Sequence, residues 1–135
     1  MDILAFFPAS KVYCFVPALG ADWYADEDSI ARALRDGRSF NVIYNPAVYK
    51  FDIFPVVSHF HREQLSRSTF ETFEFAGERV RFPVLSAEDV VLSKLAWYKK
   101  SGGALSRQLE DIRGVLAVNP QMDRHYLAER AENLV

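Results

Sequence analysis

The chain has 135 residues, of which 50% are hydrophobic and 25% charged, with a net charge of −2. This composition favours one globular domain with its own hydrophobic core, and the near-neutral charge excludes a global attraction to nucleic acid or anionic membranes. The single cysteine, Cys14, excludes an intramolecular disulfide and a multi-cysteine zinc site. Because no apolar run approaches the ~20 residues that span a bilayer and no basic signal-peptide region precedes the first apolar run, we expect a cytoplasmic protein that does not enter a membrane.

The chain opens with a predicted strand, a helix, a second strand and a second helix. Residues 2–7 contain an apolar run that predicts a buried strand. Ser10 is placed to cap the first helix, and residues 23–25 predict a short strand. Asp26 or Asp28 can cap the second helix, which should end near a glycine.

Two hairpins follow, with a short helix between them. The first hairpin pairs the β-rich runs 39–44 and 49–56 across an Asn-Pro-Ala turn. The second pairs 70–75 with 79–82, and the short helix covers about 59–66.

The C-terminal part predicts three helices, at about 86–100, 104–118 and 123–134. Ser86 and Asp89 have the S-x-x-D spacing of a capping box at the first of them. We therefore predict an α/β fold (α+β by stricter usage) in a single domain, 1–135. Its mixed part would cover about 1–83 and its helical tail about 84–135.

Two aspartates interrupt strand-like apolar runs in the mixed part. Asp52 lies in the run 49–54, where period-2 alternation places it on the same face as Lys50. One interpretation is an edge strand with a Lys–Asp pair at the surface. The other is a central strand whose carboxylate binds Mg²⁺, a cation that prefers oxygen ligands. Asp2 opens the run 3–7 and would support the second interpretation if it lay beside Asp52 on a neighbouring strand.

Two further charged residues lie near apolar helix faces in the tail. Helical geometry places Lys94 within an arc that includes Ala87, Val90 and Trp97, whereas Asp89 lies off that arc. Lys94 either extends over the apolar surface to reach water or points into a pocket, where it would contact phosphate or transfer a proton. Asp111 either forms an ordinary ion pair with Arg107, four residues earlier, or belongs to the same pocket.

Three segments of the chain resemble a known family. They are Ser39-Phe40-Asn41-Val42-Ile43 with Lys50-Phe51-Asp52-Ile53-Phe54, Ser86-Ala87-Glu88-Asp89-Val90 through Lys94-Leu95-Ala96-Trp97-Tyr98, and Arg107-Gln108-Leu109-Glu110-Asp111-Ile112. In order and spacing they resemble bacterial minimal nucleotidyltransferase-like proteins related to the toxin arm of type IV abortive-infection systems. The resemblance covers most of the chain.

The resemblance implies a fold, a reaction and a set of site residues. The fold would be a nucleotidyltransferase-like mixed β-sheet with flanking helices and a C-terminal helical part. The reaction would be Mg²⁺-dependent transfer of a nucleotide from a nucleoside triphosphate to an RNA or protein acceptor. The implied residues are Asp2 and Asp52 for the metal, Lys50 and Arg107 for the nucleotide, and Lys94 and Asp111 for catalysis.

The chain departs from the family pattern at its start. In the family a Gly-Ser turn precedes an Asp-x-Asp pair, and Asp2 matches only the second Asp of that pair. The turn and the first Asp have no counterpart, so we expect either that the gene product starts upstream or that the chain is a truncated, non-catalytic remnant. The alternative function is a non-catalytic binding module of a toxin–antitoxin-like system. We also expect a homodimer that buries residues near Ile3, Leu4, Phe6 and Phe7.

Overall fold

The computed structural model describes residues 1–75, 77–103 and 106–134 and shows a mixed α/β protein. This described part contains six α-helices and two β-sheets. The chain divides into two compact units, Met1–Glu63 and Gln64–Val135. The sequence-based expectation of a single domain stays a prediction.

The first unit contains a four-stranded sheet. Its strands are β1 (Asp2–Ala5), β2 (Trp23–Tyr24), β3 (Phe40–Tyr44) and β4 (Tyr49–Pro55). They lie in the order β1-β4-β3-β2, with β1 parallel to β4 and the other neighbours antiparallel. The predicted first hairpin is therefore confirmed as β3 and β4.

Two helices, α1 (Val12–Leu19) and α2 (Glu27–Arg35), supply the apolar residues that pack with one face of this sheet. Val12 and Ile30 are buried with Phe40, Val42 and Ile53. Because successive strand residues point to opposite faces, Phe40, Val42 and Ile53 define the core face of the sheet. The cap of α2 is the predicted Asp26, whose carboxylate accepts a hydrogen bond from Ser29 N at 2.7 Å.

Two predictions for the first twenty residues are wrong. The apolar run forms a strand only over Asp2–Ala5, and that strand is exposed or half-buried because it pairs with β4 alone at the side of the described sheet. Ser10 does not cap a helix. It lies within a 3-10 turn, Ala9–Lys11, that leads directly into α1 without a side-chain cap.

The second unit begins within α3 (His59–Arg67), and its own core is helical. Its other elements are β5 (Thr69–Phe75), β6 (Glu78–Val84), α4 (Ala87–Lys100), α5 (Ser106–Val118) and α6 (Arg124–Asn133). Val91 of α4, Ile112 of α5 and Met122 before α6 are the buried residues of the core. Antiparallel pairing of β5 and β6 confirms the second predicted hairpin, and the start predicted for α5 at 104 lies outside the described residues.

In the part of the chain that the structure describes, no helix has both the length and the apolar character needed to cross a bilayer. The expectation that the protein does not enter a membrane stays a prediction. The cytoplasmic location stays a prediction.

Candidate functional site

Asp2 and Asp52, both predicted metal ligands, are register partners on the parallel strands β1 and β4. Asn41 of β3 is the partner of Asp52 on the other side. Residues paired in register across adjacent strands direct their side chains to the same face of a sheet. Asp2, Asp52 and Asn41 therefore form a polar row on the face opposite the core residues Phe40 and Ile53.

Lys50 is the charged neighbour of Asp52. Its Nζ lies 3.1 Å from Asp52 Oδ1, and the Asp52 side chain is 24% exposed. The predicted Lys–Asp pair therefore forms, but its strand is not an edge strand. β4 lies between β1 and β3, which is the central position that the metal-binding interpretation requires.

The donor chemistry of this row suits Mg²⁺ only if further ligands come from outside the protein. Adjacent strands are about 4.8 Å apart, a spacing at which two carboxylates can approach one cation. Mg²⁺ is commonly held by one or two carboxylates together with water and substrate phosphates. Among the described residues, no group of three or more His, Cys, Asp and Glu side chains is arranged to hold a metal ion. The row is thus a two-carboxylate candidate.

Lys94 and Asp111, the predicted catalytic residues, form an ion pair between α4 and α5. Lys94 Nζ donates to Asp111 Oδ2 at 2.7 Å, and the Lys94 side chain is only 20% exposed. This hydrogen bond and the charge of Lys94 lower the pKa of the Asp111 carboxyl, with a further contribution from the charge of Arg107. Lys94, and not Arg107, is therefore the main partner of Asp111.

The structure places the six predicted site residues in two separate groups. Asp2, Lys50 and Asp52 lie together in the first unit, whereas Lys94, Arg107 and Asp111 lie in the second. Within each group the side chains are neighbours in the sheet or in the paired helices. A single pocket shared by Asp52 and Lys94 stays a prediction.

A third polar group, which the sequence did not predict as a site, is centred on Asp89. This residue is completely buried. Its carboxylate accepts hydrogen bonds from Ser86 Oγ at 3.0 Å and from the Tyr126 hydroxyl at 3.1 Å, and Arg67 Nε lies 3.4 Å away. The three partners come from the residue before α4, from α6 and from α3. Asp89 therefore connects three helices of the second unit.

Gln64, a residue of α3, adds two hydrogen bonds to residues of α4. The Gln64 side chain is also buried, and its Nε2 donates to the Asp89 carbonyl at 2.9 Å and to Ser93 Oγ at 2.7 Å. The Arg67 guanidinium lies 3.7 Å from the centroid of the Tyr126 ring. Burial, followed by the nearby charge of Asp89, raises the pKa of Tyr126.

Within this group, only the helix cap formed by Ser86 and Asp89 was predictable from a local sequence pattern. The S-x-x-D pattern predicts the cap, and Ser86 Oγ does accept from Asp89 N at 3.1 Å. Periodicity places Asp89 off the apolar arc that contains Lys94 and gives no sign of its burial, which is possible because a carboxylate with this many donors can be buried. No local pattern indicates that Arg67 and Tyr126 converge on it.

Comparisons with known proteins add no assignment to these groups. No protein-family model matches the chain, and neither curated proteins nor solved structures match it at a significant level.

Proposed function

We propose that the protein is a metal-dependent nucleotidyltransferase-like protein that transfers a nucleotide from a nucleoside triphosphate to an acceptor, either RNA or protein. The observation that supports this function best is the register pairing of Asp2 with Asp52 on neighbouring parallel strands. It joins two carboxylates that are fifty residues apart in the chain, on the face of the sheet that carries no core residue of the first unit.

Asp2 and Asp52 would hold Mg²⁺ in this function. The bound ion would neutralise charge on the attacking and leaving oxygens of the phosphoryl group. Lys50 forms an ion pair with Asp52 and adds one positive charge beside the row, where a triphosphate would gain a partner. Asn41 adds an amide on the other side of Asp52.

We propose that Lys94 and Asp111 serve catalysis and that Arg107 binds the nucleotide, the roles that the family resemblance implies. Asp111 holds the Lys94 ammonium in one position, and its lowered pKa keeps the carboxylate ionised at neutral pH. A fixed, charged lysine is suited to orient a phosphate. The exposed Arg107, one turn before Asp111, supplies a second cation nearby.

A second candidate function, a non-catalytic binding module, also has a specific observation in its favour. Four of the six charged residues of the candidate site are already paired with each other, Lys50 with Asp52 and Lys94 with Asp111. The hairpin of β5 and β6 exposes the aromatic rings of Phe70, Phe73 and Phe82. Exposed apolar groups of this kind are typical of surfaces that bind another protein.

Direct metal binding separates the two functions. Mn²⁺ accepts the same oxygen ligands as Mg²⁺ and its free form is measured by electron paramagnetic resonance. We expect the 135-residue chain to bind Mn²⁺ more tightly when a nucleoside triphosphate is present. Asp2→Asn and Asp52→Asn should each weaken that binding at least tenfold, and the control Asp28→Asn, at an exposed position of α2, should not.

The opposite results would exclude either the nucleotidyltransferase function or the metal site at Asp2 and Asp52. If neither Mn²⁺ nor any of the common nucleoside triphosphates binds the chain, the nucleotidyltransferase proposal is wrong and the binding module remains. If binding occurs but is unaffected by both asparagine variants, the metal lies elsewhere.

A further inference from the structure

The outer edge of β1 carries unpaired backbone groups in the described structure. The Met1 carbonyl accepts from Asp52 N at 2.9 Å, and the Ala5 carbonyl accepts from Val56 N at 3.0 Å. In a parallel ladder alternate residues bond to the same neighbouring strand. The N–H and C=O groups of Asp2 and Leu4 therefore point away from β4, and no described strand pairs with that side.

Apart from Asp2, the side chains along this edge are apolar, and they are exposed or half-buried. Ile3 is 36% exposed, and Phe6, directly after the strand, is 67% exposed. Phe6 also lines a shallow, mainly apolar hollow with Phe7, Pro8 and Phe15. Edge strands are normally protected by charged side chains, especially lysine, by proline or by a bulge. β1 contains neither lysine nor proline, and its one charged residue, Asp2, lies at the start of the strand.

We propose that β1 pairs in an antiparallel manner with β1 of a second copy of the chain, with Leu4 on the two-fold axis. Leu4 then forms a hydrogen-bonded pair with Leu4 of the second copy, because its N–H and C=O groups point outwards. Ile3 faces Ala5 of the second copy, and Asp2 faces Phe6. The two four-stranded sheets become one continuous sheet of eight strands.

Charge favours this register, and symmetry favours a second copy as the partner. In this register every cross-strand pair is either apolar–apolar or Asp2 with Phe6, and the two Asp2 carboxylates lie at opposite ends of the paired segment. A register with Asp2 opposite Asp2 would place like charges in contact, which destabilises a pair. An antiparallel pair of identical strands also closes on itself, so it ends at a dimer.

The paired strands would also place Phe6 of the second copy beside the polar row. Residues directly opposite each other share a face of the sheet, so this ring lies next to Asp2 on the face that carries Asp52. The dimer does not rest on the proposed function, since it follows from the backbone groups and side chains of β1 alone.

Sedimentation equilibrium tests the association. At tens of micromolar the chain should have twice its mass of 15.4 kDa. Leu4→Lys introduces a charge of the type that blocks edges and should weaken dimerisation at least tenfold. The control is Phe70→Lys, which introduces the same charge at an apolar position of the β5–β6 hairpin that is 60% exposed. It should leave the dimer unchanged.

Cysteine crosslinking tests the register. Cα atoms of a hydrogen-bonded antiparallel pair are about 5.5 Å apart, within the about 4.4–6.8 Å range of disulfides. In a Cys14→Ser background, Leu4→Cys should therefore form a covalent dimer on oxidation. Asp2→Cys should not, because the two Asp2 residues are separated by about four residue steps along the strands, roughly 13 Å.

Each contrary result overturns the proposal. If sedimentation equilibrium gives the monomer mass at all concentrations, the proposed dimer does not form. A dimer that is sensitive to Phe70→Lys but not to Leu4→Lys assigns the interface to the hairpin. If the Asp2→Cys variant crosslinks as rapidly as the Leu4→Cys variant, the register centred on Leu4 is excluded. This test holds even if Leu4→Lys disturbs the fold.

Discussion

Lys94 of α4 donates a 2.7 Å hydrogen bond to Asp111 of α5 and thereby joins the two residues that the family resemblance assigns to catalysis. The bond lowers the pKa of Asp111 and holds the lysine side chain in a largely buried position. An ion pair in this setting has two consequences. It contributes to the packing of two helices, and it fixes one positive charge in place.

Replacing Lys94 tests whether its fixed positive charge serves function or the ion pair serves only helix packing. We expect Lys94→Ala to weaken the binding of a fluorescent nucleoside triphosphate at least tenfold, because the fixed ammonium would contact phosphate. Far-UV circular dichroism should change little. The control Lys100→Ala, at an exposed position of the same helix, should leave the affinity unchanged. An unaltered affinity in Lys94→Ala would mean that the ion pair serves only helix packing.

Asp89→Ala should clearly destabilise the second unit. It removes the acceptor of Ser86, Tyr126 and Arg67 and leaves those donors without their partner. We expect a loss of about 2–3 kcal/mol in the free energy of unfolding, at the lower end for buried charged groups because Arg67 is 41% exposed and can turn to water.

Urea unfolding followed by fluorescence measures this loss. The Trp97 signal reports on the second unit, and a Trp23→Phe background removes the tryptophan of the first. Glu110→Ala, at an exposed position of α5, is the control and should change the free energy of unfolding by less than about 0.5 kcal/mol. A similar small change in Asp89→Ala would show that the buried carboxylate is not needed for stability.

Tyr126→Phe should alter the dependence of stability on pH. The pKa of Tyr126 is raised in the folded protein, first by burial and then by the charge of Asp89, whereas the unfolded chain should titrate near the ordinary value of 10.0. The folded state therefore holds the phenolic proton more tightly. This contribution to stability is fully present below pH 10 and is lost as the pH rises through the folded pKa.

The phenylalanine variant should be less stable at neutral pH by about 1–2 kcal/mol, since it lacks the hydrogen bond to Asp89. Above pH 10 its stability should fall less steeply than that of the parent chain. Thermal unfolding between pH 7 and about 11 measures both effects, with Tyr13→Phe at an exposed position of α1 as the control. Parallel curves for Tyr126→Phe and the parent would exclude the pH dependence.

The local elements were largely predictable. Asp26 and Ser86 cap helices as their side chains suggest, since a cap depends on a residue and the backbone three positions later. The pairing of β3 with β4 also follows from two β-rich runs joined by a short turn. The burial of β1 was predicted wrongly, because an apolar run does not indicate whether its strand lies inside or at the side of a sheet.

The sequence by itself determined most of the helices and strands, the caps Asp26 and Ser86, and which charged residues interrupt apolar runs. Tertiary structure alone decided that Asp2 stands beside Asp52, that Lys94 bonds to Asp111, and that Arg67 and Tyr126 meet at Asp89. The physical reason is the range of the interactions. Propensity, capping and periodicity act over a few residues, whereas strand register and the burial of a charge depend on groups that only the folded chain brings together.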